Sequence, residues 1–126
     1  MNSLLQGSEL ISEAEHIISR MFEHKIAMVC GSTYSGYHLV SAVCTHSYSF
    51  LPDVDTRFPI RGLYVRSTVK DHGAITRVDG VRGLGHQERV ALIVTQEMDE
   101  HDIHEATRAL RECGLNVAMC IRHGLS

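Results

Sequence analysis

No apolar run in these 126 residues approaches the length needed to cross a bilayer, which excludes a helical membrane span. The opening stretch, MNSLLQGSEL, lacks a basic segment followed by a long apolar one, so it does not read as a secretory signal, and a cytoplasmic protein is expected. No two of the four cysteines stand in a CxxC spacing. Cys30, Cys44, Cys113 and Cys120 each fall in an apolar segment, where a thiol packs like a small hydrophobe, so buried free thiols are expected rather than disulfides or zinc. Neither sign of charge dominates: 12 basic against 15 acidic residues leave a net −3, which gives no global field for nucleic acid, and no local basic stripe is present. Neither nucleic acid nor a membrane is expected as a partner.

What is present is ordinary globular material, 44% hydrophobic and 21% charged, in a length that makes residues 1–126 a single domain. In SELISEAEHIISRMF, the residues Leu10, Ile11, Ala14, Ile17, Ile18, Met21 and Phe22 recur at three- and four-residue spacing, an amphipathic helix with Ser8 available as its N-cap. KIAMVCG reads as a short buried strand, and SGYHLVSAVCTHS as a helix packed on it through Leu39, Val40 and Val43. Pro52 and Pro59 bracket a polar connection, after which RGLYVR is a second strand. RVALIVTQ is a third, so continuously apolar that helices should cover both its faces. DIHEATRALRECG supplies a helix with Ile103, Ala106, Ala109, Leu110 and Cys113 on one face and Gly114 as its stop, and NVAMCIR closes as a strand. This alternation defines an α/β parallel sheet.

Ligands of such sheets sit beyond the carboxyl ends of the strands, so the loops Gly31–Gly36, Arg66–Gly80 and Gln96–Asp102 should share one mouth. Periodicity alone fits a response-regulator-like or a flavodoxin-like domain equally well. The loops discriminate. GSTYSG after one strand, YVRSTVKDHG after the next and RVALIVTQEMDEHDIHEATRALRECG together resemble, over about residues 26–124, the orotate phosphoribosyltransferase branch of the type I phosphoribosyltransferases. The resemblance implies an α/β, parallel-sheet, three-layer, Rossmann-like fold without the full N-terminal hood, and a homodimer in which a lid over about residues 66–82 serves the neighbouring subunit. Arg66, Lys70, His72 and Gly73 match the family's lid pattern, R-K-x-x-K-x-H-G. A lid of this kind excludes water when it orders on substrate, which explains a polar stretch such as VKDHGAITRVDG in the middle of a short chain.

The departures carry as much information. Ser35 stands where the family's GxxYKG has lysine, and Ser67 where the lid has its first lysine. Aligned without gaps, the family's acidic pair falls on Val94 and Thr95, and its phosphate-cradling run on Met98, Asp99, Glu100, His101 and Asp102, with no glycine kept. Carboxylates at contact distance repel a phosphate, so this loop is expected to refuse phosphoribosyl pyrophosphate. The bland reading of the same loop is an acidic helix N-terminus, favourable against the helix dipole.

The expected site therefore has His72, Asp99 and Glu100 as acid–base groups, and Arg66, Lys70, Tyr34, Ser35, Thr95 and His101 holding a small, anionic substrate. No cofactor is expected. No metal is expected either, because Glu100, His101 and His104 lack the usual ligand spacing. Two function classes follow: a repurposed small-molecule enzyme that no longer transfers phosphoribosyl groups, or a non-catalytic binding or regulatory partner of an active phosphoribosyltransferase. A working orotate enzyme ranks below both.

Overall fold

The structure, a computed structural model, describes residues 7–50, 60–70, 73–81 and 88–123. Chain order is α1 (Gly7–Glu23), β1 (Met28–Gly31), α2 (Tyr34–Phe50), β2 (Arg61–Lys70), β3 (Gly73–Asp79), β4 (Arg89–Val94), α3 (Glu100–Glu112) and β5 (Asn116–Arg122). The five strands form one sheet in the order β3-β2-β1-β4-β5. The pairs β2·β1, β1·β4 and β4·β5 are parallel, and β3 is an antiparallel edge.

Period-2 alternation divides the core. Val29 of β1, Ala91 and Ile93 of β4 and Ile121 of β5 face α1 and α2, where they meet Ile17, Ile18, Leu39, Val40 and Val43. Met28, Cys30, Val90, Leu92 and Val94 face the opposite side and meet Ala106, Ala109 and Leu110 of α3. β4 is thus buried on both faces, as its unbroken apolar run requires. Each fully buried aliphatic side chain contributes about 1.5–3 kcal/mol, and this is what holds the three layers together. No helix among the described residues is long and apolar enough to cross a membrane.

The helix ends follow from sequence chemistry. α3 stops in a Schellman turn, with Leu115 N–H donating to the Leu110 carbonyl, Gly114 N–H to that of Arg111, and Gly114 at φ 85°. α1 ends in the same turn, but Lys25 takes the left-handed position at φ 57°. Ser8 is not the cap of α1; the helix already includes Gly7, which puts Ser8 in its first turn. The connection between Pro52 and Pro59 lies outside the described residues.

Two expectations are corrected. Residues 66–70 and 73–79 are strand rather than loop: β2 runs on to Lys70 and pairs back on β3 from Tyr64↔Asp79 to Lys70↔Gly73. Both stretches are rich in β-branched residues, Thr68 and Val69 in the first and Ile75, Thr76 and Val78 in the second, a composition that favours strand. The thiols are also not uniformly buried. Cys30 is buried and Cys44 half-buried, whereas Cys113, past the end of α3, and Cys120, on edge strand β5, are exposed.

Candidate functional site

β1 pairs with β2 only through Tyr64, so β2 and β3 continue together as a two-stranded ribbon beyond the carboxyl edge of β1. The loop Ser32–Thr33 leaves β1 at the same edge and Thr95–Asp99 leaves β4 there, which brings all three expected segments to one end of the sheet. The order β2-β1-β4 explains the convergence, since β1 is flanked by both partners whose loops it must meet.

Side chains join the first and third segments. Thr33 Oγ1 lies 2.9 Å from Thr95 Oγ1, and both residues come from strand ends 62 positions apart. Ser35 Oγ donates to the Glu97 carboxylate at 2.8 and 3.1 Å. Ser32 Oγ reaches Met98 Sδ at 3.5 Å, while the Met98 side chain itself is buried in the core beneath α3. Thr33 also accepts the Gly36 N–H at 3.1 Å, closing the first turn of α2. The turn is tight: a Cβ on Gly31 would stand 2.7 Å from both the carbonyl carbon and oxygen of Gly36, a backbone clash that no rotamer relieves. Ser35 is 2% and Thr95 3% exposed, and both hydroxyls are held in hydrogen bonds.

Asp99 is the N-cap of α3. Its Oδ1 accepts the Asp102 N–H at 2.8 Å, and the Asp102 carboxylate accepts the Asp99 N–H at 3.1 Å, a reciprocal capping box. The Asp102 amide holds the Asp99 carboxyl below its ordinary value; slight desolvation opposes this, and the Asp102 side chain and His101 reinforce it. Glu100 and His101 follow in the first turn, both exposed. Glu97 and Asp99 thus come from one short loop and reach two different helix starts, Glu97 at α2 through Ser35 and Asp99 at α3.

On the ribbon side, Arg66 forms a two-point ion pair with Asp79, Nε to Oδ2 at 2.6 Å and Nη2 to Oδ1 at 3.3 Å, with both side chains about half exposed. Tyr37 donates its hydroxyl to the Val65 carbonyl at 2.6 Å. Burial, with the nearby Cys30 second, pushes the Tyr37 phenol up, and Arg66 opposes. Tyr34, 85% exposed, packs edge-on to Tyr37, which packs edge-on to Tyr64, so an aromatic row leads from the mouth to β2.

Of the residues expected from sequence, Tyr34, Ser35, Thr95, Asp99, Glu100 and His101 lie at or beside this mouth, and Arg66 stands at the root of the ribbon. Lys70 ends β2 with its backbone paired to Gly73. His72 lies outside the described residues, as does Arg82 at the end of the expected lid. Val94 is a core residue rather than part of the mouth, its side chain packed on the α3 side. Glu97 was missed. The available signal was an acid at the third position past a central parallel strand, but what gives it meaning is the Ser35 hydroxyl, far away in sequence. Among the described residues, no three His, Cys, Asp or Glu side chains are placed to hold a metal ion.

No family model matches the sequence, and no curated protein matches it. Solved structures do match in fold. The chain is similar to the orotate phosphoribosyltransferase of Francisella tularensis, with a TM-score of 0.62 and 15% identity over 93% of this chain and 52% of that one. It is similar to UMP synthase of Leishmania donovani, with a TM-score of 0.58 and 18% identity over 89% of this chain and 21% of that one. The purine phosphoribosyltransferase of Pyrococcus horikoshii gives 0.52 and 13%, over 91% and 74%. The chain has the type I phosphoribosyltransferase-like fold and spans about half the length of the orotate enzyme it matches.

Proposed function

We propose that this chain, as a single domain over residues 1–126, keeps the phosphoribosyltransferase fold without transferring phosphoribosyl groups, and serves as a homodimeric, cytoplasmic binding or regulatory protein. One observation carries the reading: the loop after β4 supplies its own carboxylates, Glu97 and Asp99, to the starts of both α2 and α3. Helix starts are where a phosphate would be received, because their free N–H groups and dipole favour an anion. Here the capping box uses the Asp99 and Asp102 amides internally, and a phosphate approaching them meets like charge.

The same observation ranks the two function classes. A general base needs its carboxylate within hydrogen-bond reach of a substrate proton. Asp99 directs its carboxylate at the Asp102 amide instead, which favours the non-catalytic class. The acid–base alternative retains exposed Glu100 together with His72, with Arg66 and Lys70 receiving a small carboxylate, and the exposure of Glu100 at the mouth is what keeps it in play.

Calorimetry with phosphoribosyl pyrophosphate and magnesium tests the main reading, with no saturable heat expected. Micromolar binding, about −8 kcal/mol, would overturn it. A thermal-shift panel of small carboxylic acids separates the two classes further, since a ligand at about 100 times its Kd raises stability by about 2.7 kcal/mol. A hit that is also chemically converted, with conversion lost in His72→Ala, selects the enzyme.

A further inference from the structure

We propose that Asp79 stands in for the anion that Arg66 receives, an autoinhibitory contact that a small carboxylate displaces when it binds at the mouth. The geometry of the pair is that of a ligand contact. Arg66 Nε meets Asp79 Oδ2 at 2.6 Å and Nη2 meets Oδ1 at 3.3 Å, the two-point arrangement by which an arginine holds a bound carboxylate. One donor edge of the guanidinium is therefore taken, and its charge is met at contact. An anion arriving at Arg66 while Asp79 stays in place meets a like charge beside it.

The pair stands at the mouth. β1 last pairs with β2 at Gly31↔Tyr64, and Arg66 comes two residues later, on the same face of β2 as Tyr64. That face carries the aromatic row, Tyr64 edge-on to Tyr37 and Tyr37 edge-on to the exposed Tyr34. Arg66 and Asp79 both act on the Tyr37 phenol, in opposite senses, so the pair lies beside the row. The two partners differ in freedom. Asp79 has a short side chain on a backbone pinned by its pairing with Tyr64 and by Gly80, which lies at φ 100° so close to β2 that a Cβ would stand 2.7 Å from the Gly62 carbonyl oxygen. Arg66 has a long side chain, about half exposed. When the pair opens it is thus the guanidinium that swings, and it stays within reach of the tyrosines. Ion pairs this exposed are weak enough to exchange with a dissolved anion, and they lower a competing anion's affinity by about fivefold at most.

This inference rests on the reading above that Arg66 receives a small carboxylate, and it names how that site is regulated. The test titrates malonate, a small dicarboxylate, over about 0.1–50 mM at constant ionic strength, following the Arg66 Nε–H signal by nuclear magnetic resonance. The proteins are the unmodified chain, Asp79→Asn and the double variant Arg66→Ala/Asp79→Asn. Both side chains are about half exposed, so each variant should keep the unmodified chain's circular dichroism. In the unmodified chain malonate should shift the Arg66 Nε–H signal, because the anion takes the place of Asp79. Asp79→Asn should bind malonate about three- to fivefold more tightly, and the double variant should lose that gain. Equal affinity in Asp79→Asn and the unmodified chain would overturn the proposal, leaving the pair as a brace across the ribbon while the carboxylate reading stands. A gain that survives in the double variant would overturn it as well, since the gain would not pass through Arg66. If neither the unmodified chain nor Asp79→Asn binds malonate, the carboxylate reading and this contact fall together, and the phosphate reading, tested by calorimetry, is unaffected.

Discussion

Removing the Ser35 hydroxyl should loosen the connection between the first and third strand-end loops by an amount the geometry sets. The bond is to a carboxylate, at 2.8 and 3.1 Å, and hydrogen bonds to charged groups are worth about 1.5–3 kcal/mol. Glu97 is exposed and can rehydrate, which places Ser35→Ala at the lower end, about 1.5 kcal/mol. For a chain of 126 residues, with about 2.1 cal/mol/K of unfolding entropy per residue, that is a fall in Tm of about 6 °C. The assay is urea unfolding of Ser35→Ala, Glu97→Ala and the double variant. A coupling energy of about 1 kcal/mol is expected, because either single change already removes the bond. Additivity within about 0.3 kcal/mol would refute the pairing, and with it the claim that the loop after β4 is tied to the start of α2.

Two further outcomes follow from the helix ends. Asp99 has its carboxyl held below the ordinary value of 3.8, so its capping contribution is complete above that pH and is lost as pH falls through the lower folded value. The stability gap between the unmodified chain and Asp99→Ala, followed by urea unfolding, should be constant from pH 7 down to about 5 and shrink below about 4; a gap independent of pH would show that the carboxylate is not the capping group. Lys25 occupies a left-handed position at the end of α1 that glycine adopts without strain, so Lys25→Gly should stabilise by about 0.5–1 kcal/mol in the same assay, and a loss of stability would place the strain elsewhere.

Periodicity is a local property, and what it could determine it did determine. The apolar spacing of residues 10–22 placed α1, the unbroken apolar run after Arg89 placed a central strand with helices on both faces, and Gly114 marked the end of α3. That the loops after β1 and β4 meet was legible for the same reason, because parallel strands leave their loops at one edge. Tertiary structure decided the rest. Whether residues 66–70 and 73–79 are loop or strand depends on the partner strand, and the pairing of β2 with β3 makes them a ribbon. Whether a cysteine in an apolar segment is buried depends on what packs over it: Cys113, the C-cap of α3, and Cys120, on the edge strand, are both exposed. Asp99 could be read from sequence as either a catalytic acid or a helix cap; its capping box, with Asp102 three residues on, is local, and the structure adds the direction of the carboxylate, toward the Asp102 amide. Glu97 had only one local signal, an acid three positions past a central strand. Its partner Ser35 is 62 residues away, and the two meet only because β1 and β4 lie side by side in the sheet, a neighbour relation that no window of sequence contains.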